Sequence, residues 1–134
     1  MKLSKNKNCI SYISNKPFGN YYVPARFQYL ILRDYYSKIK KLFSFPYPEP
    51  VFSKTSIRLR TIVKNLKNYD SLILLSIFVL PENRILREEI IKNLIKKKIK
   101  THFIFENIIA DNKTKYKEVL KVYKLNKIIK KMTR

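Results

Sequence analysis

The sequence predicts an α/β fold, a small three-layer sandwich with a four-stranded, mainly parallel sheet between helices. Residues 71–81, SLILLSIFVLP, are almost wholly apolar and closed by a proline. An unbroken apolar run is what a strand covered on both faces requires, whereas a half-exposed strand alternates apolar with polar. Helical patterns flank this run, and strand-like segments alternate with helical ones throughout the chain. The resulting order β-α-β-α-β-α-β-α implies right-handed crossovers and a Rossmann-like or flavodoxin-like sheet in the order 2-1-3-4. With 134 residues, 46% of them hydrophobic, the chain can fill one core. A single domain is expected over 9–131, behind a disordered basic tail at 1–8.

Each element has its own justification. CISYIS at 9–14 is short, partly alternating and rich in β-formers, and turn residues follow it, so it predicts the first strand. Gly19, the single glycine, marks a position that needs positive φ or close approach. Pro24 suits a first helical turn, and Phe27, Leu30, Ile31, Tyr35, Ile39 and Leu42 repeat at helical spacing, predicting a helix to about Leu42. That phase places Asp34 on or beside the apolar stripe, paired with Arg33 or an arginine from elsewhere in the chain, or held for a ligand. LFSF at 42–45 predicts the second strand, and the proline-rich PYPEP at 46–50 a loop. Ile57, Leu59, Ile62, Val63 and Leu66 form a second helix capped by Ser53 or Thr55. Asn83 caps a third, with Ile85, Leu86, Ile90, Ile91, Leu94 and Ile95 inward. THFIF at 101–105 is the fourth strand, and Asp111 or Asn112 caps a last helix carrying Tyr116, Val119, Leu120 and Tyr123.

Composition excludes several classes of function. One Cys, Cys9, and one His, His102, leave no intramolecular disulfide and no multi-Cys zinc site, so no metal is expected and a reducing cytoplasmic setting is the default. The longest apolar run, 72–80, falls short of the roughly 18 residues of a membrane span. A single glycine also rules out a Gly-rich phosphate loop and a dinucleotide fingerprint, so no cofactor is expected. The formal net charge is +21. It reads either as the product of an AT-rich coding sequence, given the abundance of Lys, Asn, Ile, Tyr and Phe, or as a polyanion-binding surface. Between Asp111 and Arg134 nine Lys or Arg face two acidic residues, which directs the nucleic-acid reading to the last helix.

In open α/β sheets ligands bind beyond the carboxyl ends of the strands. That rim would gather Ser14 and Asn15, Glu49, the stretch from Phe78 to Arg84, and Glu106 with Asn107. Ser76, Asn83, Arg87 and the Arg33–Asp34 pair complete the candidate ligand-binding set. Glu49 and Glu106 are the candidate acid/base pair, and Arg84 the candidate for an anionic group. His102 lies at the opposite end of its strand, where a packed, hydrogen-bonded role is expected.

Several spaced segments carry a resemblance. Tyr12-Ile13-Ser14…Pro17-Phe18-Gly19, Val23-Pro24…Gln28…Leu32-Arg33-Asp34-Tyr35, residues 76–81 with Arg84 and Arg87, and His102-Phe103…Glu106-Asn107 resemble the sporadic carbohydrate cluster proteins. The resemblance covers most of 11–108. It implies an association with bacterial surface-polysaccharide biosynthesis and a sugar or nucleotide-sugar-like ligand, with no reaction assigned. The chain departs from that pattern at Ser71-Leu72, where a glycine entering the central strand is expected. The chain also resembles, more distantly, the catalytic domain of serine recombinases, through its Tyr-Ile start, a Gln in the first helix and an Arg-bearing loop after the central strand. This second resemblance implies a resolvase-like topology. It puts that family's nucleophilic serine near Asn15 or Lys16, neither of which is a serine, and no DNA-binding helical module follows.

Overall fold

The computed structural model describes residues 9–17, 22–66 and 69–132. The expected tail at 1–8 and Gly19 lie outside them. Among the described residues the elements run β1 (Cys9–Ile13), α1 (Ala25–Lys38), β2 (Tyr47–Pro48), α2 (Ile57–Lys64), β3 (Ser71–Leu74), a 3-10 turn at Ile77–Val79, α3 (Arg84–Lys96), β4 (Lys100–Phe103), β5 (Ile108–Ala110) and α4 (Lys113–Met132). The sheet order is β2-β1-β3-β4-β5. The first four strands are parallel in the expected order, and β5 adds an antiparallel edge, with Thr101 opposite Ala110 and Phe103 opposite Ile108. Because the chain reverses direction along the sheet after β2, right-handed crossovers put α1 on the face opposite α2 and α3.

The core is centred on β3. Leu72, Ile73, Leu74 and Leu75 are fully buried, as a strand covered on both faces demands. Strand pairing stops at Leu74, however, and the rest of the apolar run winds into the 3-10 turn. Ser76 explains the change: its hydroxyl accepts from Phe78 N at 3.2 Å and starts the turn.

Four sequence expectations are corrected. The second strand is Tyr47–Pro48, inside the segment expected to be a loop, while Phe43 and Phe45 leave the sheet and cluster with Tyr29 and Tyr36 at ring-centroid separations of 5.2 to 5.8 Å. Proline is tolerated in β2 because β2 is an edge strand. Helix α1 ends at Lys38, and its buried residues are Gln28, Leu32 and Tyr36, whereas Phe27 and Leu30 are about half exposed. A buried glutamine shifted the true face by one residue from the apolar count. Asp34 is accordingly exposed and meets Lys38 at 3.4 Å, one turn along the helix, instead of lying on the buried stripe. Ile85 is also outward, at 76% exposure.

Candidate functional site

The loops after β1, β2, β3 and β4 converge on one rim, and their polar side chains divide into those that hold the rim together and those that face open space. Glu49 belongs to the first group. It is buried, receives the Tyr12 hydroxyl at 2.7 Å, and accepts the backbone N–H groups of Arg58 at 3.0 to 3.1 Å and Leu59 at 3.4 Å. Its carboxylate therefore caps α2 from the end of β2, satisfying donors that a helix start leaves without partners. Burial pushes its pKa up, but hydrogen bonds from Ser53, Arg58, Tyr12 and Leu59 outweigh that and hold it below the usual carboxylate value.

Glu106 has a parallel role across the sheet. It accepts from the Ser76 hydroxyl at 2.7 Å and from Ile77 N at 3.0 Å, fixing the 3-10 turn to the β4–β5 connection. Asn107 supplies the turn itself, at φ 56, a left-handed conformation that Asn tolerates better than most residues. Asn15 uses its amide to gather the carbonyls of Pro50 and Ser53 at 2.5 and 3.1 Å, tying the β2–α2 loop to the end of β1. Ser14 is buried. Its backbone N–H and C=O are both bonded by the Gln28 side-chain amide at 3.0 Å, and its hydroxyl bonds the backbone of Lys16. Gln28, which also donates to Val23 O at 2.7 Å, thereby fixes where β1 ends.

What faces open space is a cleft of about 440 Å³ bounded by Lys16, Pro17, Lys54, Thr55, Glu82 and Asn83. A smaller hollow of about 70 Å³ adjoins it, sharing Lys16, Pro17 and Glu82 and adding Phe78, Tyr123 and Lys127. Lys16 is common to both. Burial holds its pKa below the usual lysine value, with Glu82 and Glu49 acting against that and Lys127 with it. Asn83 starts α3 by accepting from Leu86 N at 3.1 Å.

The two arginines of this region point elsewhere. Arg84 pairs with Glu88 at 3.0 Å along α3. Arg87 donates to the carbonyls of Pro81 and Glu82 at 3.0 and 2.9 Å and stacks its guanidinium 4.1 Å over the Tyr123 ring. Both line a groove of about 320 Å³ between α3 and α4, together with Lys117, Lys121 and Lys124. Arg33 is exposed on α1. At the opposite end of the sheet, His102 shares a hydrogen bond with the Tyr35 hydroxyl at 2.6 Å. Burial, then Lys100 and Lys41, hold it below the ordinary histidine value, with Asp70 opposing them. Buried Cys9 is pushed up chiefly by desolvation, as expected of a packed thiol. Among the described residues no cluster of His, Cys, Asp and Glu could hold a metal, and no helix is long and apolar enough to cross a membrane.

Of the residues named from sequence, the structure brings Ser14, Asn15, Glu49, Ser76, Asn83, Glu106 and Asn107 to the rim, and leaves Arg33, Asp34, Arg84 and Arg87 off its cleft. Lys16 and Lys54, which line the cleft, did not stand out, whereas Glu82 lies within the stretch from Phe78 to Arg84 already singled out. Lys16 did carry a signal, since it directly follows Asn15, a rim residue already singled out.

No family model and no curated protein matches the chain, so the resemblance to sporadic carbohydrate cluster proteins gains no support from those comparisons. Among solved structures, the chain is similar to the crystal structure of the N-terminal catalytic domain of TP901-1 integrase. The TM-score is 0.60 and the identity 16%, and the alignment covers 96% of this chain and 100% of that one. At that identity the likeness is one of fold: the two chains share an α/β architecture, here built on a mainly parallel sheet.

Proposed function

We propose that the chain binds an anionic sugar derivative, a sugar phosphate or nucleotide sugar, in the cleft at the strand-end rim. The observation that carries this reading is Lys16, a half-buried ammonium at the wall shared by both hollows. A cation that has lost much of its hydration gains most from an anionic partner. Lys54 on the facing loop adds a second positive charge, while Glu82, Asn83 and Thr55 provide acceptors and donors suited to hydroxyl groups. The sugar class comes from the sequence resemblance and the anionic character from the cleft. Glu49 and Glu106 serve the site by holding its walls, and the free carboxylate facing a ligand is that of Glu82.

Thermal shift with nucleotide sugars and sugar phosphates tests this at low and high salt. A bound ligand raises the melting temperature according to its concentration over Kd. A shift that persists in salt, is abolished by Lys16→Met and survives Lys117→Gln is the expected result. No shift with any member of either class would refute the proposal.

Nucleic-acid binding is a second reading, favoured by the groove between α3 and α4, where Arg84, Arg87, Lys117, Lys121 and Lys124 face a single acid, Glu88. It predicts duplex affinity that falls steeply with salt and weakens with Lys117→Gln and Lys121→Gln. Affinity indifferent to both changes would remove it.

A further inference from the structure

Helix α4 is apolar on two sides. Tyr116, Val119 and Tyr123 are buried against the fold. From residue 122 onward a second apolar row faces outward: Val122 is 37% exposed, Leu125 52%, Ile128 48% and Ile129 57%. Val122, Leu125 and Ile128 succeed one another at spacings of three, so they share one side of the helix, away from the buried row. Lys117, Lys121 and Lys124 run beside them and are exposed.

From this geometry we infer that the C-terminal half of α4 docks on an anionic lipid bilayer, lying in its interface with Val122, Leu125 and Ile128 toward the acyl chains. Such a surface satisfies both halves of the pattern at once. The apolar row is removed from water, and the adjacent lysines meet lipid phosphates. A second copy of this chain would cover the apolar row but would bring like-charged lysine rows together in a protein of net charge +21. A nucleic-acid duplex would take the lysines and leave the apolar row uncovered. The inference is independent of the cleft reading, yet the two are neighbours in space. Helix α4 starts beside Ala110, at the end of the sheet opposite the rim, and reaches the rim hollow with Tyr123, Asn126 and Lys127. Docking through its C-terminal half sets the cleft beside the membrane surface, within reach of headgroup-level substrates.

Co-sedimentation of the full chain with vesicles provides the test. Binding is expected to vesicles of phosphatidylcholine containing about one-third phosphatidylglycerol and not to phosphatidylcholine alone. The pair Leu125→Asn and Ile128→Asn, at exposed positions, is expected to weaken vesicle binding by about tenfold or more with an unchanged circular dichroism spectrum. The pair Leu125→Ala and Ile128→Ala, which keeps helix propensity, should act in the same direction. Three results would overturn the inference: no binding to the anionic vesicles; equal binding by wild type and both variants; or a dimer in light scattering that the same variants dissociate.

Discussion

Glu49 shows how a single carboxylate can be taken for chemistry and used for architecture. Its oxygens meet Tyr12, Arg58 N and Leu59 N, so Glu49→Gln leaves helix donors poorly matched and is expected to destabilise by about 1 to 3 kcal/mol in urea denaturation. Its folded pKa is lowered. The stabilisation is therefore full above the unfolded carboxylate pKa and lost as pH falls through the lower folded value. The variant should lack that acid limb; an acid transition identical to wild type would show that Glu49 is not its source. His102 has the same sign at higher pH. Its folded pKa lies below 6.5, so its contribution is present above that value and declines as pH falls through the folded one. Melting temperature should drop between about pH 7 and pH 5, and His102→Gln should flatten that slope. The role of Glu49 was not legible from residue type. Sequence placed His102 at the strand start and read it as packed, but nothing in the spacing of Glu49 and Arg58 signals that a loop carboxylate caps a helix nine residues later.

The helices and strands were legible where an element's own pattern decides it. The order of the parallel strands, the caps at Asn83 and Asn112 and the buried central run all follow from local chemistry. They were illegible where a tertiary contact decides it. Gln28 is buried because it bonds the backbone of Ser14 and Val23, and that displaced the apparent face of α1. The 3-10 turn, started locally by Ser76, is fixed to the β4–β5 connection because Ser76 and Glu106 meet across 30 residues of sequence. The rim is likewise built by cross-links, and one of them can be removed singly. Asn15→Ala frees the carbonyls of Pro50 and Ser53 while leaving β1 intact, and should raise proteolysis or hydrogen exchange in residues 50–55 at a stability cost of about 1 kcal/mol. Unchanged exchange there would show that the loop is held by other contacts. Asn83→Ala removes the α3 cap and is expected to cost about 0.5 to 2 kcal/mol, measured the same way.

Across the whole molecule, charge is the dominant imbalance. The net charge is +21, and the three ion pairs among the described residues are exposed, each within one helix. Such pairs contribute little, so repulsion among lysines is left to the solvent. Salt should therefore stabilise: melting temperature is expected to rise between about 0.05 and 0.5 M NaCl, where screening shortens the reach of that repulsion. A melting temperature that fell over this range would mean that attractive pairs outweigh repulsion. The two borders of the sheet carry a further consequence. One is β2, two residues long, with proline at position 48 and prolines on either side at 46 and 50; the other is the three-residue β5. Pro48 offers no N–H outward, and neither strand is long enough to template another. A protein whose central strand is as apolar as an amyloid segment is thus guarded against edge-to-edge polymerisation by the same prolines that disguised β2 as a loop.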